Sequence, residues 1–386
     1  MTLGHDDLAI AERCLKNRAQ WADEAPVTAF ERAFAEWNGS RHAFAFLGGR
    51  VAFSACLAAL ELPAGTEVIV PGYTCVVVPN AIRFAGAVPV FCDIELETYG
   101  PDVTDVARRI TSRTGVLLLH HLFGLVCRDY DALIELARRR GLRVIEDCAH
   151  ATGAEDQGVK VGRRGDLAFY STERSKVLNT IRGGLAVTDD EELARGLAAY
   201  AERAPRPAPA EVERCLRTVR IVHDRAWHPR RGLARRWAQF RDGRHEAVST
   251  TSGEIRGERP TDYGQRLPAP LAELGLNQLA KLDQLSVERR RTAVRWDAWC
   301  RAMGYAPPFV REGSLPVFLR YPVLVEAERK RDGGWARREL GIDLGVWFVS
   351  PIHPAPFSLP DCPRAMEAVQ RCVNFPTLLP SGASPE

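Results

Sequence analysis

From about Ala43 to Val187 the chain alternates short apolar runs with amphipathic stretches, and no other feature narrows its possible folds so far. Runs apolar throughout belong to strands buried on both faces, which occur where helices cover both sides of a parallel sheet. The expected strands are Glu67–Val70, Pro89–Asp93, Gly115–Leu119, Arg143–Glu146, Leu167–Tyr170 and Leu185–Thr188. Between them, Asp129–Arg140 carries apolar residues at helical spacing and ends in three arginines, placed where a helix dipole favours positive charge. The pattern predicts an α/β fold with a mostly parallel central sheet flanked by helices.

A chain of 386 residues is long for one domain and can bury a sizeable core. We expect a large domain over 1–250 and a smaller C-terminal α/β domain over 251–386. In the latter, the helical pattern through Leu279, Leu282 and Leu285 runs to Trp299, and Leu319–Val325 and Ile342–Trp347 read as strands. Residues 201–250 hold twelve arginines, no lysine and six acidic residues after a proline-rich entry. This segment predicts helices projecting from the sheet domain. Its stripe Arg230-Arg231…Arg235-Arg236-Trp237 suits phosphate, an acidic lipid surface or plain solvent. The tail PSGASPE reads as disordered.

A net charge of +3 is too mild to point to nucleic acid, and a small anion is the better partner. The ten cysteines include no CxxC pair, so neither a zinc site nor a disulfide framework is expected. His228, His245 and His353 are isolated in sequence, and no metal site is expected. The first residues lack a basic start followed by an apolar stretch, and no run is long enough to span a bilayer. The expectation is a soluble, cytoplasmic protein.

The run Leu142–Asp147 delivers a carboxylate at the C-terminal end of a strand, where open α/β sheets place their ligands. Lys176 follows in Tyr170-Ser171-Thr172-Glu173-Arg174-Ser175-Lys176, with Gly183-Gly184 seven residues later. That spacing reads as strand, turn and strand. Taken singly, such a lysine is ordinarily solvated surface and such an aspartate a helix cap or turn former. Together they are the two groups that pyridoxal phosphate (PLP) requires: an amine to form a Schiff base, and a carboxylate to keep the pyridine nitrogen protonated.

Five ordered motifs then resemble the DegT/StrS family of sugar aminotransferases. They are Gly65-Thr66-Glu67-Val68-Ile69-Val70-Pro71…Thr74, Gly86-Ala87-Val88-Pro89-Val90-Phe91…Asp93-Ile94, His121-Leu122-Phe123-Gly124, Glu146-Asp147-Cys148-Ala149-His150-Ala151…Gly153-Ala154, and Ser171…Lys176…Gly183-Gly184. The resemblance covers nearly the whole chain and implies a fold type I PLP-dependent transferase. It implies amination of a keto sugar, nucleotide-linked, by an amino-acid donor such as glutamate, in a homodimer with shared active sites. By that resemblance Lys176 is the Schiff-base lysine and proton shuttle, and Asp147 the partner of the pyridine nitrogen. His150 would approach the phenolic oxygen, and Ser171 would bond the phosphate. Gly49 and Arg50 would offer it backbone amides at a helix N-terminus. Arg266 would reach the neighbouring subunit's site.

Three departures stand out. Gly48-Gly49-Arg50 replaces the family's Ser-Gly-Thr, and a charge-assisted contact from Arg50 to phosphate would compensate for the lost hydroxyl. Asp262-Tyr263-Gly264-Gln265-Arg266 replaces Gly-Tyr-Asn-Tyr-Arg, keeping the arginine. Cys75 stands where an aromatic residue commonly covers the PLP ring; Tyr73 is the alternative cover. The alternatives are an enzyme of the same fold acting on a cyclitol or other non-sugar ketone, and a non-catalytic or regulatory homologue. A dehydratase of this fold is disfavoured, because those relatives carry histidine at the lysine position.

Overall fold

The computed structural model describes residues 2–227, 246–261, 263–345 and 347–379. Its centre is a seven-stranded sheet: β1 (His42–Phe46), β2 (Glu67–Pro71), β3 (Val88–Cys92), β4 (Thr114–His120), β5 (Arg143–Asp147), β6 (Leu167–Ser171) and β7 (Gly184–Thr188). The spatial order is β1-β7-β6-β5-β4-β2-β3. β7 runs antiparallel to both its neighbours, and the remaining pairings are parallel. The C-terminal ends of the other six strands therefore share one edge, and β7 starts there.

Strand alternation divides the sheet's side chains between two buried faces. Ile69, Leu117, Leu119, Val144 and Tyr170 enter one core, with Phe30 and Phe34 of the helix Ala25–Asn38. Val68, Val70, Val116, Leu118, Ile145 and Phe169 enter the other, with Phe53 of the helix Gly49–Ala59. The predicted helix is present as Tyr130–Arg140, burying Tyr130, Leu133, Ile134 and Ala137 and ending at Gly141 in the left-handed conformation.

A third core gathers Trp296, Tyr321, Val323, Trp335 and Phe375 of the C-terminal part around Tyr73, Tyr99 and Phe123 of the sheet domain. Beyond the division expected at 250/251, the helix Ala269–Ala280 packs Leu271 and Leu274 into the sheet core. The long helix Leu282–Ala302 joins the bodies, with Leu282 in the sheet core and Ala293, Trp296 and Cys300 in the smaller one.

Two local expectations are corrected, and two others lie outside the described residues. Pro209–Trp227 does not project: Val212, Cys215, Leu216 and Val219 form one stripe buried in the sheet core. The basic stripe from Arg230, with His228 and His245, lies outside the described residues, as does the tail from Pro380. Among the described residues of 342–347 no strand forms; Gly345 makes a single bridge to Asn374, and Phe348 at φ 61 leaves the extended region. The partner of Tyr321–Leu324 is instead Cys372–Phe375. Together with β1, that strand had no expectation attached to it.

Candidate active site

The shared strand edge opens into a cavity of about 970 Å³. Gly49, Arg50, Cys75, Asp147, His150, Ser171 and Lys176 all line it. Of the expected site residues, Arg266 alone does not; it bridges to Phe46 and pairs with Glu24 at 3.0 Å.

Lys176 is carried by the turn between β6 and β7. Backbone bonds from Thr172 to Gly183 (2.8 Å), Thr180 to Thr172 (2.8 Å) and Arg174 to Ile181 (3.1 Å) close its base. The side-chain amide of Asn179 ties the loop back to the Arg174 carbonyl at 3.2 Å. The loop is thereby held while the Lys176 amine has no hydrogen-bond or ion-pair partner among the described residues. Its Nζ stands 5.5 Å from the centroid of the Trp347 indole.

Asp147 ends β5. One carboxylate oxygen accepts from the Ala149 amide at 2.9 Å, and the other has no donor among the described residues. Burial pushes this carboxyl up to about 6, against the lowering pull of the Ala149 amide and of Lys176 and His121. A carboxylate kept short of donors in this way has capacity for a cationic N–H.

His150 lies on the adjacent loop, and its Nδ1 accepts from the Phe123 amide at 3.3 Å. That bond assigns the remaining ring proton to Nε2, making the ring a donor. Burial, then Lys176, holds it well below the usual histidine range, so it stays neutral. The HLFG motif thus serves geometry: Phe123 at φ 57 presents its amide to His150.

Gly48 precedes the helix Gly49–Ala59 with no side-chain cap, leaving the Gly49 and Arg50 amides without acceptors among the described residues. Glycine is needed here because a Cβ on Gly49 would stand 2.8 Å from the Ser171 Cβ. A Cβ on Gly184 would stand 2.5 Å from the Gly49 nitrogen. The close approach of β1, β6 and β7 therefore puts the Ser171 hydroxyl beside a helix N-terminus, an anion-binding arrangement.

The Arg50 guanidinium turns to Glu254 and the Ser249 carbonyl. Glu254 sits in the short helix Ser252–Ile255, and with Thr251 it forms a capping box. Cys75 pairs with His353 through the parallel bridge between Thr74–Cys75 and Ile352–His353, bringing His353 into the cavity wall. Tyr73 is not a cover: it is fully buried against Phe348 and Tyr99 in the smaller core. The aromatic wall near Lys176 is Trp347, whose ring centroid lies 4.7 Å from that of His150.

Trp347, Glu254 and Gln265 line the cavity without having been foreseen. Thr251-Ser252-Gly253-Glu254 is a readable capping signal, whereas nothing local marks Trp347 as facing a site. His121, Glu146 and Cys148 cluster closely enough to hold a metal ion. The Glu146 carboxylate, however, already accepts from His121 (3.0 Å), Tyr130 (2.6 Å) and the amides of Gly162, Arg164 and Gly165. Burial would raise it, yet these donors hold it at about 2. This is a saturated structural network beneath Asp147.

The residues present fit PLP: a free amine, an under-satisfied carboxylate, a neutral imidazole donor and an uncapped helix terminus face one cavity. Comparisons with known proteins agree. The sequence profile of the DegT/DnrJ/EryC1/StrS aminotransferase family matches residues 2–380. An L-glutamine:2-deoxy-scyllo-inosose aminotransferase of Streptomyces lividus is 34% identical over 84% of this chain and 69% of its own. A dTDP-4-dehydro-2,3,6-trideoxy-D-glucose 4-aminotransferase of Saccharopolyspora spinosa is 31% identical over 97% of this chain and 89% of its own. The crystal structure of S. venezuelae DesV superposes with a TM-score of 0.73 at 26% identity, covering 96% of this chain and 89% of that one. No described helix is long and apolar enough to cross a membrane. The chain belongs to the DegT/DnrJ/EryC1/StrS aminotransferase family.

Proposed function

We propose that the protein uses PLP to move an amino group from an amino-acid donor onto a keto group of a polyhydroxylated ring. The observation that carries this is the unpaired Lys176 amine facing the same cavity as the Asp147 carboxylate. PLP, when bound, supplies an aldehyde for amine exchange and an electron sink for breaking a Cα–H bond.

The chain's own residues do the rest. The free oxygen of Asp147 accepts the pyridine N–H and so fixes its charge. Nε2–H of His150 donates to the phenolic oxygen. The Gly49 and Arg50 amides and the Ser171 hydroxyl hold the phosphate. Lys176 Nζ takes a proton from the donor carbon in the first half-reaction and delivers one to the acceptor carbon in the second. Trp347 and His353 close the wall above this chemistry and exclude water from it. Arg266, paired with Glu24 outside the cavity of its own chain, is proposed to serve a second subunit.

The cavity volume suits a ring substrate of either kind, since ligand sites run to roughly 1,000 Å³. A nucleotide-linked keto sugar is the first reading. The keto-cyclitol reading is favoured by the S. lividus relative, named for an inosose. The test is to incubate the protein with PLP, L-glutamine or L-glutamate, and separate nucleotide-linked keto sugars and keto-cyclitols. An amine product from one class alone assigns the acceptor; amine from neither class refutes the reading.

A further inference from the structure

Five phenylalanine, tyrosine and tryptophan rings line the cavity, and four are committed elsewhere. Phe53, Phe169 and Phe348 are buried in the cores. Tyr263 is tied through its hydroxyl to Ser54 (2.9 Å) and lies beneath Arg259, whose Cζ is 5.2 Å from the ring centroid. Trp347 alone stands beside the reacting amine, half-buried, with its centroid 5.5 Å from Lys176 Nζ. Cys75 offers no aromatic surface from the sheet domain, so the aromatic face next to Lys176 comes from the smaller body.

This indole is held in place. The Trp347 amide donates to Asn374 Oδ1 at 3.3 Å, and Phe123 lies nearly parallel to the indole at 17°, with centroids 6.4 Å apart. Arg320, which does not line the cavity, sits over the same ring with Cζ 5.5 Å from the centroid. The indole Nε1–H has no acceptor among the described residues, which leaves it for a ligand oxygen. A braced aromatic face with a spare donor is a preorganised wall for a ligand that is apolar on its face and polar at its rim.

We propose that Trp347 is the platform of the acceptor, its indole face stacking on the C–H face of the ring ketone, a role that rests on the acceptor reading above. The π face is negative and attracts the partly positive hydrogens of ring C–H bonds, while the hydroxyls point outward from the rim. To receive a proton the acceptor carbon must come within about 3–3.5 Å of Lys176 Nζ. A stacked carbon lies about 3.5–4 Å from the indole. These two reaches together exceed the 5.5 Å between the amine and the indole centroid, so one carbon can satisfy both. An open-chain keto acid gains less from the same wall, because its reacting carbon carries a carboxylate that the negative face repels.

The test uses PLP-loaded full-length protein converted to its amine form with L-glutamate and freed of excess. Return of the lysine-bound absorbance is then followed with a ring ketone, scyllo-inosose or dTDP-4-keto-6-deoxy-D-glucose, and separately with 2-oxoglutarate, an open-chain ketone undergoing the same chemistry. Trp347→Leu should raise the half-saturating concentration of the ring ketone roughly 10-fold and that of 2-oxoglutarate by less than about twofold. Trp347→Phe, which keeps a smaller aromatic face, should fall between. An unmoved constant for the ring ketone, or an equal rise for both ketones, overturns the proposal. If neither ring ketone restores the wild-type absorbance, the acceptor reading falls, and calorimetric binding of scyllo-inositol decides the platform by itself. Weaker binding to Trp347→Leu than to wild type then supports it; equal binding, or none to either protein, overturns it.

Discussion

Asp147 shows what a buried carboxylate with a single donor costs the free protein. Its carboxyl titrates at about 6 because burial disfavours the charged form and the Ala149 amide offsets this only in part. With the folded value above the usual one, Asp147 contributes stability that is fully present below about pH 4 and lost as pH rises through about 6. Asp147→Asn keeps the acceptor for Ala149 and removes the charge. Without cofactor at pH 8, the variant should melt a few degrees above wild type, and the gap should close by pH 4. Turnover should fall by roughly two to four orders of magnitude, since the pyridine nitrogen loses its anionic partner. Melting curves at the two pH values and a steady-state assay check both parts. Lys176 and Asp147 were legible in sequence because a strand end and a strand–turn–strand spacing are local signals. Trp347 was not, because it reaches the cavity only through its packing on Phe123 and His150.

At the scale of elements, the site depends on where strands end and on what holds those ends. Glu146, one residue before Asp147, gathers His121, Tyr130 and three backbone amides in a position with no solvent exposure. Its folded value of about 2 lies below the usual range, so its contribution is present above about pH 4.5 and is lost as pH falls towards 2. Glu146→Ala strands five donors and should lower stability by about 3–5 kcal/mol at pH 7, read from urea denaturation midpoints. The sheet strands were foreseen to within a residue or two where apolar runs are continuous. β1 was passed over because His42–Phe46 is only partly buried, with Ala45 and Phe46 alone fully covered. Ile342–Trp347 looked like a strand for its apolar content, yet the left-handed Phe348 turns the chain into the cavity wall instead.

For the whole molecule, the sequence conveyed the α/β architecture with a mostly parallel sheet flanked by helices. The helix Ala269–Ala280 has an apolar stripe that suits either core, and only tertiary packing assigns it to the sheet. Arg266 extends the account to a pair of subunits. If it serves the neighbouring site, Lys176→Ala and Arg266→Ala proteins, each inactive alone, should complement when unfolded and refolded together. About a quarter of wild-type activity is expected, because half of the dimers are mixed and each mixed dimer carries one intact site of its two. Recovery of nothing would place Arg266 in a structural role with Glu24. The central claim, that Lys176 holds and exchanges the cofactor in this cavity, is tested most directly by the visible spectrum of the protein loaded with PLP. The account predicts an absorption band of lysine-bound cofactor that an amino-acid donor converts to the amine form, and that is absent from Lys176→Ala. A wild-type protein without the band, or a Lys176→Ala protein that keeps it, would contradict the account.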